Sequence, residues 1–114
     1  MINLGTNDVA HIDKSSQLEP RSSVAKIDAR LDKFAAEFPS TTCVVFVTLD
    51  SHNPGWHPAY VRQINKHIRS TFAHVADWDA TLRPADFYLA GDPHPNETGR
   101  QVLLAVEDRA IASC

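Results

Sequence analysis

A chain of 114 residues with a formal net charge of −3 and 43% apolar residues is the size of one domain and can bury a core. Lys and Arg are scattered (Lys26, Arg30, Lys33, Arg62, Lys66, Arg69), with no basic patch interleaved with aromatics, which argues against a nucleic-acid partner. The apolar run Val44 to Val47 is far short of the ~20 residues a membrane span requires.

Met1 to Leu4 is short and apolar and runs into Gly5-Thr6-Asn7-Asp8, a strand followed by a turn. From Pro20 to Phe38, the residues Val24, Ile27, Leu31, Phe34 and Phe38 recur at intervals of three and four, the stripe of an amphipathic helix, which Pro39 ends. Thr42 to Leu49 is a continuous β-branched and apolar run, the pattern of a strand covered on both faces in a parallel sheet. Asp50 to Gly55 reads as a loop. A second helix from Pro58 to Phe72 carries Tyr60, Val61, Ile64, Ile68 and Phe72 on one side, with Arg62, Lys66 and Arg69 outward.

His74 to Trp78 is expected to be a short strand, with Trp78 in the core. Ala80 to Asp92 lacks a period, contains Pro84 and reads as an irregular loop. The last helix, Pro95 to Ala112, has Pro95 near its first turn, Asn96 as a cap, and Val102, Leu103, Val106 and Ala110 inward. The order βαβαβα implies right-handed crossovers and a parallel sheet between helices. Three strands make a thin sheet, and the first would leave an unpaired apolar edge. Self-association or a partner chain at that edge is one expectation, and strands supplied by residues outside these 114 is the other.

In such a sheet ligands bind at the carboxyl ends of the strands. That rim would collect Gly5 to Asp8, Asp50 to His57 and Trp78 to His94, the most polar and His-rich stretches of the chain. Here a resemblance becomes visible. Gly5-Thr6-Asn7-Asp8 resembles the Gly-x-Asn-Asp block of the SGNH (GDSL-type) serine esterases and acyl hydrolases, and Asp92-Pro93-His94-Pro95-Asn96-Glu97-Thr98-Gly99 resembles their final Asp-His block before the last helix. The two occur in the family's order. The resemblance implies a three-layer α/β/α, flavodoxin-like fold, of which residues 1–114 form the C-terminal part as a single partial βαβαβα domain lacking the N-terminal strands.

The resemblance further implies that Asn7 donates its amide to an oxyanion hole beside Gly5, that His94 is the general base for a serine, and that the substrate is a small carboxylic ester or O-acetyl group. A preorganised amide where the oxyanion develops is worth ~3 kcal/mol of barrier, and a hydroxyl nucleophile at neutral pH needs an adjacent imidazole. The family's Gly-Asp-Ser block is not found in this sequence, so the chain alone is expected to be without turnover. The family's acid stands three residues before the His, where this chain has Gly91. Asp92 is the nearest carboxylate, with Asp86 or a backbone carbonyl as substitutes for orienting His94.

Other readings stay beside these. Asn7 and Asp8 also suit a turn and a cap. Ser15, Ser16, Ser22, Ser23 and Ser40 flank a helix, where capping and solvation account for them, and Ser51 shares the rim without a supporting motif. Trp56 and His52 are placed to contact an acyl or sugar group, although Trp56 equally suits packing at the helix start near Tyr60. The six histidines include no His-x-x-x-His pair, so neither a metal site nor a cofactor is expected. Cys43 and Cys114 lack zinc-site spacing. Both fall at the bottom of the sheet, open to pairing, and a disulfide would suggest an extracytoplasmic protein. The rival to a hydrolase is a non-catalytic module that binds a partner through its strand edge.

Overall fold

In the computed structural model, residues 20–53, 56–81 and 94–114 are described. Their elements are α1 (Pro20–Ala35), β1 (Val45–Val47), α2 (Pro58–Thr71), β2 (His74–Ala76), α3 (Trp78–Thr81) and α4 (Glu97–Ala112). The strand expected at Met1–Leu4 and most of the loop expected at Ala80–Asp92 lie outside the described residues.

β1 and β2 pair in parallel, with Val45 opposite His74, Phe46 opposite Val75 and Val47 opposite Ala76. Parallel pairing across an intervening helix is what the alternating pattern predicts. β1 is buried along its whole length, and its side chains divide between two apolar clusters. Phe46 joins Leu49 and the inner faces of α1 (Val24, Ile27, Leu31) and α2 (Val61, Ile64, Ile68). Val45 and Val47 join Ala76, Trp78 and the inner face of α4 (Val106, Ala110), with Val102 and Leu103 half-buried at its margin. A strand with apolar neighbours on both faces needs an uninterrupted apolar sequence, which is why residues 44–47 do not alternate. Trp78 is in the core, as expected.

Several boundaries differ from those predicted. α1 stops at Ala35 and not at Phe38, because the backbone tightens: Ala36 N–H still reaches Asp32 O at 3.0 Å, but Glu37 and Phe38 bond only three residues back, to Phe34 and Ala35. Phe38 is then exposed, its ring edge-on to Phe34. Ser23 lies inside this helix and is buried, so it is no flanking cap. β1 covers three residues rather than Thr42–Leu49, because only these have ladder partners in β2, although burial extends to Ser51. Trp78 does not end β2; it begins the short helix α3, so residues 80 and 81 are helical and not loop. α4 begins at Glu97, with the Asn96 side chain accepting from Gly99 N–H at 3.0 Å. Asn96 is therefore the cap and Pro95 stands just outside it.

Phe72, one residue beyond α2, stacks on Phe46 with centroids 3.7 Å apart, fastening the helix end to the strand. Cys43 and Cys114 are joined in a disulfide, with Cα atoms 5.8 Å apart. It ties the segment entering β1 to the last residue after α4. Among the described residues no helix is long and apolar enough to cross a membrane.

Candidate functional site

The carboxyl ends of β1 and β2 open onto a polar network that the parallel pairing brings together. Thr48 N–H continues the ladder to Ala76 O at 3.1 Å, and beyond it β1 has no further strand partner in β2. Leu49 finds its partner in a side chain. Asn65 of α2, fully buried, accepts from Leu49 N–H at 2.8 Å and donates to Leu49 O at 2.6 Å. One carboxamide thus closes both backbone groups of a strand end that water does not reach.

The β2 side of the rim is organised by Asp77 and Asp79. Thr48 Oγ1 donates to Asp77 Oδ1 and accepts from Asp79 N–H, both at 3.0 Å, linking the two strand ends. Asp77 caps α3 through Ala80 N–H. Arg69 forks onto Asp77, with Nε to Oδ2 at 2.8 Å and Nη2 to Oδ1 at 2.7 Å, and reaches Asp79 Oδ2 at 3.0 Å. Arg69 is exposed, as its expected outward position implies, and from there it serves as the cation of this network. Hydrogen bonds to Asp77 lead the effects that raise its pKa further above its ordinary value.

Burial alone would push both aspartates up, but the opposing hydrogen bonds win. Arg69 and Thr48 hold Asp77 below the ordinary Asp value; Ser51, Arg69 and Asn65 do the same for Asp79. A depressed carboxylate pKa contributes stability that is present above the unfolded value near 3.8 and lost as pH falls through the lower folded value. Arg69→Met is therefore expected to lower stability by roughly 1–2 kcal/mol at neutral pH, the pairs being partly solvent-exposed. The gap between variant and wild type should close as pH drops below ~4. Thermal melts at pH 7 and pH 3 test this, and a gap of equal size at both would refute it.

On the β1 side, Ser51 N–H donates to Asp79 Oδ1 at 2.7 Å. Asp50, with no exposed side-chain surface, accepts from His52 N–H at 2.7 Å and lies 3.3 Å from His52 Nδ1. His52 is on the rim with its ring exposed, as expected. Asp50, His52 and Asp79 each place one ligand-type atom within 4.8 Å of the others. Their carboxylate oxygens already serve Ser51, His52 and Arg69, so the hydrogen-bond network accounts for the cluster. Trp56 is half-buried and packs against the α1/α2 cluster, and the ring stacked on Tyr60 is that of His57, with centroids 4.4 Å apart.

His94 is exposed, two residues before the Asn96 cap of α4. Gly5, Asn7, Asp92 and Asp86 lie outside the described residues. Asn65, Arg69 and Asp77 were not among the expected site residues, while Asp50 and Asp79 fall in the expected rim stretches without a role assigned to them. Asn65 did carry a signal, since it stands four residues after Val61 and three before Ile68, on the apolar stripe itself.

At the opposite end of the strands, the register that sets His74 beside Val45 brings Cys43, two residues upstream, close to His74. α4 returns its C-terminus to the same place. Compared with protein-family models, curated proteins and solved structures, the chain matches none.

Proposed function

We propose that this chain carries the base-bearing part of an SGNH-type ester hydrolase site, acting on a carboxylic ester or O-acetyl substrate through an acyl-serine intermediate. The observation that carries the reading is the position of His94. It stands directly before the Asn96-capped helix α4, which packs on a parallel strand pair with the polar rim at its carboxyl ends. Helix faces on both sides of that pair support the three-layer architecture that the resemblance implies. In this mechanism His94 takes the proton of a serine hydroxyl as it attacks the ester carbonyl, Asn7 donates to the resulting oxyanion, and Asp92 orients the imidazole. Trp56 and His52 border the acyl or alcohol group. The nucleophile comes from a segment outside these 114 residues.

Fluorophosphonate labelling tests this. The 114-residue chain is expected to stay unlabelled. Protein made with its native upstream coding sequence, or mixed with the segment that bears the serine, is expected to label, and His94→Ala should slow that labelling by about 10⁴-fold or more. Labelling of the short chain that a single serine substitution abolishes would overturn the reading. So would labelling of the longer protein that His94→Ala leaves unchanged.

A further inference from the structure

At the amino-terminal end of the strands, away from the rim, Cys43, His74 and Cys114 each place a ligand atom within 4.8 Å of the other two. Zinc bound tetrahedrally at ~2.3 Å to sulfur and ~2.0 Å to nitrogen spaces its ligand atoms about 3.5–3.8 Å apart. In the oxidised chain the two Sγ atoms are bonded to each other, so taking up that spacing requires the sulfurs to separate by about 1.7 Å once the bond is cut, on a backbone that the β1–β2 register and the end of α4 already hold in place. Both cysteines are exposed and His74 is half-buried, so a reductant and an ion can reach them.

The histidine is also prepared. Ser113 Oγ donates to Ala110 O at 2.6 Å and lies 3.3 Å from His74 Nδ1. With its proton on Ala110 O, the hydroxyl can only accept from His74, so Nδ1 carries the ring proton and Nε2 keeps its lone pair. A ligating imidazole needs such an outer partner to fix its tautomer and orientation.

We propose that, once the Cys43–Cys114 disulfide is reduced, Cys43, Cys114 and His74 form a site for a thiophilic divalent cation such as zinc, with one coordination position open. The same end of the sheet is then held by a disulfide in one redox state and by a metal in the other. With a phosphine reductant the S–S bond breaks, the phosphine takes oxygen from water to become its oxide, and two thiols form. Zinc binding then forms two S–Zn bonds and one N–Zn bond and releases two thiol protons.

The test uses the whole 114-residue chain, oxidised or phosphine-reduced without air. Zinc is titrated against a chromophoric chelator, cobalt is the spectroscopic probe, and helix content is followed by circular dichroism. The reduced chain is expected to take up one equivalent of zinc and, with cobalt, to show thiolate charge-transfer absorption. The oxidised chain should do neither. His74→Ala, which leaves both cysteines in place, should weaken zinc binding by at least about tenfold. If reduction alone lowers helix content, zinc must restore it. Absence of zinc uptake by the reduced chain, equal affinity in His74→Ala, or uptake that leaves lost helix unrestored would each overturn the proposal.

Discussion

Breaking the Cys43–Cys114 disulfide in the absence of metal is expected to lower the unfolding free energy by about 4 kcal/mol. The bridge spans 71 positions, enclosing most of the chain. A cross-link over a loop of that length removes from the unfolded ensemble many conformations that the reduced chain regains. A domain of this size has about 5–15 kcal/mol in total, so the loss is a large share of it. Urea unfolding followed by circular dichroism, with chelator present and with and without reductant, measures the difference. The double variant Cys43→Ala/Cys114→Ala should fall with the reduced protein. Coincident midpoints for the oxidised and reduced chains would rule out this contribution.

The second large effect is expected from Asn65→Leu. The substitution keeps the γ-branched outline of the side chain in a helix whose neighbours Val61, Ile64 and Ile68 are all buried, and although the methyl groups are bulkier than the amide, the lost hydrogen bonds are the larger expected effect. Leu49 N–H and C=O would both lose their partner in a place closed to water. Each unsatisfied buried backbone group costs about 1–3 kcal/mol. A loss of about 3 kcal/mol follows, a fall in melting temperature of roughly 10 °C. The amide also helps hold Asp79 ionised, so the variant should disturb the rim as well as the strand end. Lys66→Ala, at the next and exposed position, is the control and should stay within about 0.5 kcal/mol of wild type. An Asn65→Leu variant as stable as that control would show that the clamp is not needed.

These two expectations differ in how far the sequence alone anticipates them. The pairing of Cys43 with Cys114 was one of several outcomes, because two cysteines at the ends of different elements meet only if those elements end in the same place. Asn65 lies on an apolar helical stripe, which marks it as buried and does not say what it bonds. His74 and Arg69 carried no local signal. Their partners are 8 to 39 residues away, and no spacing rule reaches across a strand register.

By itself the sequence determined the alternation of strands and helices, the parallel pairing of β1 with β2, the double-sided burial of β1 and the Asn96 cap. The pairing follows from the strand–helix–strand order, and the others from local periodicity or from a side chain reaching its own backbone, short-range physics that is written residue by residue. Only the tertiary structure decided which polar groups close the end of β1, which cation holds Asp77 and Asp79, and that Cys43, His74 and Cys114 meet. Those contacts depend on the register between strands and on where α4 ends, quantities set by the packing of two apolar clusters on opposite faces of one strand.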